Sequence, residues 1–265
     1  MLQLLYLVFL ASLAWIVLGG LRSPHRSLSA SLVAAIILVW VDLVLTAQLL
    51  SLFRAMNVTF AYVLLALAFA WLMAAGLKKL PLTGPAHGPG FVWMLSPATT
   101  RLIGWLLALS ALAVLVANLI MAHGLLPANP DSTTYRFPRV YWYFGQGSLM
   151  HFSNAAEPRP IYYPFNGSLL YLPLVHFQLG PRSFSLPSLG AWLGVALTTY
   201  AFARDLGGPR IAAAATAWLI CLTPNVLIQA LSTNDEIIAA LPLLAGLMFL
   251  HRWHRGGQRQ DSLIG

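Results

Sequence analysis

Charge is what this chain has least of. Only 8% of its 265 residues are charged and 59% are hydrophobic, with a mean hydropathy of +0.75. Soluble domains carry roughly 25% charged residues, so the composition excludes an ordinary water-soluble globule. There is a single cysteine, Cys221, inside an apolar run. It cannot form an intrachain disulfide and carries no information about redox compartment. Neither His151 nor His176 has a His or Cys partner at metal-ligand spacing, which argues against a histidine-built metal centre. The first apolar run lacks the basic n-region and small-residue cleavage site of a signal peptide, so it reads as a span. No internal repeat or low-complexity tract interrupts the chain.

Long apolar runs are abundant. Seven candidate spans approach the ~20 residues needed to cross ~30 Å of hydrocarbon: Leu2–Gly20, Ala30–Phe53, Val58–Gly76, Ile103–His123, Phe184–Ala203, Ile211–Leu231 and the shorter Ile237–Leu250. An eighth run, Gly167–Gly180, is short, contains Pro173 and reads as re-entrant or interfacial. The Pro/Gly-rich segment after Leu80 reads as irregular, and residues 91–101 as a stretch lying along the inner surface. The expected fold is all-α and polytopic, with about seven spans. It divides into four N-terminal transmembrane helices over 1–123, an extracytoplasmic loop with juxtamembrane helices over 124–183, and three further helices with a short cytoplasmic tail over 184–265.

Charge bias orients this arrangement in the cell membrane. With the N-terminus outside and Gly167–Gly180 not crossing, ten of the fifteen Lys and Arg face the cytoplasm; if that run crosses, only six do. The positive-inside rule favours the first case. The net charge of +8 is then a loop-end signature and gives no reason to expect a nucleic-acid partner. Four of the seven acids gather outside, Asp131 and Glu157 in one segment, Asp235 and Glu236 in another. The short turn Arg204–Arg210 makes the intervening spans neighbours, so the two acidic segments are expected to meet.

Asp131–Phe165 is polar and aromatic in an otherwise membrane-like chain. Asp131 fits a general base and equally a helix N-cap. Arg136, Arg139 and Arg159 suit a phosphate, which Arg can hold bidentately, or a lipid headgroup surface. Asp235 and Glu236, with Asp131, could hold a divalent cation (Mg or Mn) or orient an acceptor; capping of the last span is the plainer role. The aromatics, Tyr162 and Tyr163 among them, fit sugar stacking or an interfacial belt. Asp42 lies mid-span, where a carboxylate costs ~2.5–3.5 kcal/mol; Gln48 or Asn118 are conceivable partners, through a helix–helix hydrogen bond.

In order, the chain carries D-x-x-T-Y-x-x-P-R (Asp131, Thr134, Tyr135, Pro138, Arg139), R-x-x-Y-Y-P (Arg159, Tyr162, Tyr163, Pro164), R-D-L-G-G at a span end, and S-T-N-D (Ser232, Thr233, Asn234, Asp235). This pattern resembles the GT-C glycosyltransferases, in the branch of protein O-mannosyltransferases and lipid A aminoarabinose transferases. It covers roughly 129–250. Arg136 stands where relatives tend to carry His, Phe165 replaces the second Pro of their Y-P-P, and Asp131 lacks the second acid many of them place beside it.

The resemblance implies an inverting sugar transferase on the extracytoplasmic face. Its donor would be a polyprenyl-phosphate-linked sugar in the lipid bilayer, and its acceptor an unspecified glycan, lipid or protein. Asp131 is then the base, Arg136, Arg139 and Arg159 bind the donor phosphate, and Tyr135, Tyr162, Tyr163 and Asn234 contact substrate. The family usually has more spans, so an N-terminal portion of such an enzyme is expected. A transporter or flippase-type protein, or an inactive fragment of the transferase, are the alternatives.

Overall fold

The computed structural model describes residues 2–21, 27–77, 96–124, 127, 129–150 and 164–261. The described residues contain helices and no strand. The long helices are α1 (Leu2–Leu21), α2 (Leu28–Leu52), α3 (Thr59–Leu77) and α4 (Pro97–Gly124). A π-helical turn, Ser132–Arg136, runs directly into α5 (Phe137–Gln146). Two short helices follow, α6 (Asn166–Leu169) and α7 (Leu172–His176), then α8 (Leu186–Asp205) with a 3-10 turn before it, α9 (Arg210–Leu222), α10 (Pro224–Ala230) and α11 (Asp235–Asp261). Six helices are long and apolar enough to cross a membrane, and α9 with α10 forms a bent pair that also passes that test.

Three sequence expectations change. The fourth helix starts at Pro97, so residues 97–101 are helix, not a surface stretch. Ser96 explains this: its Oγ accepts from Thr99 N–H at 3.1 Å, and Pro97 follows at the first helical position. The run Ile211–Leu231 is not one straight span. It breaks at Thr223 (ψ 124°) before Pro224, with 73° between the two halves; a residue before proline is driven out of the helical region. Ile237–Leu250 lies within a much longer helix. Gly167–Gly180, expected to be re-entrant or interfacial, forms α6 and α7 and is enclosed, with Leu169 to Phe177 all buried.

Small residues set the helix spacing. Gly20 of α1 lies against the α3 backbone, where an added Cβ would come within 2.6 Å of Ala74 Cα, and Ala66, Ala70 and Ala74 form the buried stripe of α3. Gly194 of α8 receives Leu241 of α11 in the same way. Close packing of this kind replaces the hydrophobic drive that lipid removes.

The segment holding α5 docks on the α2–α3 turn. Met56 N–H donates to Gly147 O at 3.0 Å and Leu149 N–H to Ser51 Oγ at 2.8 Å. Gly147 ends α5 in the left-handed region (φ 68°), and any Cβ there would meet the Arg54 carbonyl. His176 of α7 stacks on Tyr62 of α3 with centroids 4.3 Å apart, and its Nδ1 lies 3.1 Å from Thr59 Oγ1. These contacts place α5, α6, α7 and the amino end of α11 at one end of the bundle.

Asp42 is fully buried. Its partner is neither Gln48 nor Asn118 but Thr46, one turn on in the same helix, whose Oγ1 donates to Asp42 Oδ1 at 3.3 Å. The bond is therefore intrahelical.

Candidate functional site

Two segments far apart in sequence are stitched together here. Asn129 Nδ2 donates to Asn234 Oδ1 at 2.8 Å, and the hydroxyls of Ser132 and Thr233 are 2.5 Å apart. Arg136 Nη1 donates to the Thr233 carbonyl and lies 3.6 Å from Asp235 Oδ1. The D-x-x-T-Y and S-T-N-D segments thus form one polar seam.

The π turn is what aligns the seam. Its extra residue per turn is closed by Phe137 N–H donating to Ser132 O. Asn129, not Asp131, caps it: Ser132 N–H donates to Asn129 Oδ1 at 2.9 Å, while the Asp131 side chain makes no capping bond. Of the two roles left open for Asp131, the cap is therefore taken by another residue. Asp131 is half-buried.

Tyr135 lies between two guanidinium groups, with Arg136 Cζ 5.3 Å and Arg139 Cζ 5.6 Å from its ring centroid. Burial raises the Tyr135 hydroxyl above its usual pKa; Arg136 pulls it down, and the charges of Asp131 and Asp235 push it up. Both carboxylates therefore act on the same phenol. Burial lowers the Arg136 pKa, but Asp235 and Tyr135 outweigh it and the net shift is upward. For Arg139 burial wins and the shift is downward; an arginine stays protonated regardless.

Arg139 is fully buried and donates to the Pro164 carbonyl at 2.9 Å and to Ser168 Oγ at 3.4 Å. It anchors the entry to α6. Asn234 bridges to Asn129 as described, and Glu236 is exposed. Arg159, Tyr162, Tyr163 and Glu157 lie outside the described residues. Among the described residues no three His, Cys, Asp or Glu side chains are grouped to hold a metal ion. Asp235 instead faces the Arg136 guanidinium, so the donor set around it does not fit Mg or Mn.

Beside the seam runs a groove of about 540 Å³ between α2 and α11. Its length is apolar, with Trp40, Val44 and Ile238 in its walls, and its end is polar, with Gln48, Asn166 and Asp235. Gln48 Nε2 donates to Asn166 Oδ1 at 3.1 Å. Gly167 makes room for Asp235, since a Cβ there would meet Asp235 Oδ1 at 2.7 Å. Pro242 also lines the groove and has no N–H for the Ile238 carbonyl one turn earlier.

Sequence reasoning missed Asn129, Ser132 and Gln48 in these roles. The Asn129-Pro130-Asp131-Ser132 spacing was the available signal, because an Asn three residues before a helical N–H is a capping position.

Comparison with known proteins gives no match: no protein-family model, curated protein or solved structure matches this chain.

Proposed function

We propose that the chain is a membrane glycosyltransferase component that moves a sugar from a polyprenyl-phosphate donor to an acceptor hydroxyl at the extracytoplasmic surface. The observation that carries this reading is the apolar groove ending at Asp235, which is itself paired with Arg136. An isoprenoid chain suits the apolar walls; at their end Asp131 and Asp235 balance Arg136 and Arg139, so a phosphate gains a cation there only by taking the place of Asp235. Asp235 lines the groove and Arg136 does not, so the arriving phosphate displaces Asp235 as the partner of Arg136. Arg139 acts one step back, holding Pro164 and Ser168 at the groove mouth.

In the reaction, the acceptor oxygen bonds to the anomeric carbon from the face opposite the leaving phosphate. The bond from that carbon to the phosphate oxygen breaks, with its electron pair leaving on the phosphate. Asp131 takes the acceptor proton. Inversion follows from the single displacement. Asp131, Arg136, Asp235 and Asn234 lie on one surface of the membrane in this reading, with about seven crossings and the N-terminus outside. Arg101, Arg204, Arg210, Arg252 and Arg255 belong to the opposite ends of their helices, which is the cytoplasmic distribution.

The test is sugar transfer from a synthetic polyprenyl-phosphate sugar in proteoliposomes. Asp131→Asn should reduce turnover by roughly 10²–10⁴-fold, the range of a general base, with insertion unchanged. Undiminished transfer in that variant removes Asp131 as base, and absence of transfer by the native chain with any such donor removes the reading.

A further inference from the structure

Along α4, α8 and α9 a second cleft of about 610 Å³ runs from Arg210, at the end of the bundle away from Asp235, up to Cys221. Leu107, Ala111, Trp192 and Trp218 make it apolar. The α4 wall is thin cover, since this helix is the least enclosed of the candidate spans, so the cleft faces lipid. Leu197, Tyr200 and Arg210 also line an adjoining cavity of about 450 Å³, which carries Arg204, Arg252 and Asp205. The two spaces thus share a wall, one greasy and one cationic.

The charge at the junction is unbalanced. Three arginines face one carboxylate, a formal +2. Asp205 is already occupied, accepting from Arg252 Nε at 2.5 Å and Nη2 at 2.8 Å. Arg204 spends one N–H on the Gly208 carbonyl at 2.7 Å. Arg210 is exposed, with no hydrogen-bond or ion-pair partner among the described residues. The amino ends of α2 and α9 also border this cavity, through Ser27, Leu28 and Arg210, and helix amino ends favour an anion.

We propose that these two adjoining spaces together bind an anionic phospholipid, its acyl chains between α4, α8 and α9 and its phosphate at Arg204, Arg210 and Arg252. An inorganic phosphate would have no use for the apolar half, and a neutral lipid none for the arginines. Asp235 and Arg252 are seventeen residues apart on α11, about 26 Å along its axis, so the lipid occupies the leaflet opposite the sugar donor. The binding does not depend on sugar transfer.

The test uses the full chain in nonionic detergent, titrated with phosphatidylglycerol, phosphatidylcholine or inorganic phosphate and read by native mass spectrometry. Phosphatidylglycerol should bind at least fivefold tighter than phosphatidylcholine. Arg210→Gln, which breaks no internal bond, should weaken it about fivefold, as one basic residue near an anionic lipid does. Ala214→Trp, placed in the cleft wall, should block it. Equal affinity for the two lipids, undiminished phosphatidylglycerol binding in either variant, or inorganic phosphate binding as tightly as the lipid would each overturn the proposal.

Discussion

Arg136 and Asp235 stand 3.6 Å apart, joined across nearly a hundred residues of chain. Arg136 is almost wholly buried while Asp235 keeps about a third of its side chain exposed. The two are therefore unequal partners. Removing the arginine strands a carboxylate that water reaches in part, although Oδ1, the oxygen facing Arg136, is buried. Removing the carboxylate strands a guanidinium that water cannot reach.

This asymmetry sets the first expectation. Asp235→Asn should cost more stability than an exposed pair would, roughly 2 kcal/mol, below the 3–5 kcal/mol of a fully buried pair. Arg136→Gln should cost a similar amount or more, because bonds to the Thr233 carbonyl and Tyr135 hydroxyl are lost too. Urea unfolding in mixed micelles measures both; near-zero changes would mean the seam does not hold the two segments together.

Bulk in the groove should act on the lipid donor and not on chemistry. Val44→Trp or Ala239→Trp fills the wall of the 540 Å³ space without touching the seam. The KM for a long-chain donor should rise at least tenfold, about 1.4 kcal/mol, with kcat within a factor of two. A matching fall in kcat with unchanged KM would place the donor elsewhere.

His176 predicts an acid sensitivity. Burial lowers its pKa from 6.5 to about 4, so the unfolded chain binds the proton more readily. Stability should be full above pH 6.5 and fall as the pH drops toward 4, by roughly 3 kcal/mol in all. His176→Phe keeps a ring against Tyr62 and should flatten this slope, although it loses the Thr59 bond. Thermal unfolding at pH 7.5 and 5 in both proteins decides the matter; parallel curves would assign the acid loss to other groups.

Sidedness can be read by thiol labelling. Met150 and Leu206 are exposed and sit at opposite ends of the bundle. In a background with Cys221→Ala, Met150→Cys should react with an impermeant maleimide on intact cells, and Leu206→Cys only after permeabilisation. Labelling of both from outside would sink the orientation.

The first three helices were legible to within two residues because apolar runs end where polar ones begin. The meeting of the 131 and 235 segments was also legible, from charge bias and one short turn. The bend at Pro224 was not, because the run around it stays apolar and only the proline marks the break. The partner of Asp42 was not legible either: Gln48 and Asn118 offer amides suited to a carboxylate, and nothing in the sequence sets the Thr46 hydroxyl, one turn away, apart from them. The cap at Asn129 was hidden because Pro130 and Asp131 imitate a helix start on their own.

The π turn at Ser132–Arg136 holds one residue more than an α-helix would need to sweep the same angle. Deleting one residue there, Thr134 for instance, would let the segment relax to an ordinary α-helix. Five residues at about 80° each and four at about 100° turn through nearly the same angle, so the flanks would keep their relative facing. Asn129 could still reach Asn234, and Arg136 could still reach Asp235. A second deletion would come out of α-helix and swing the two flanks about 100° apart, so the seam tolerates the loss of one residue here and not of two.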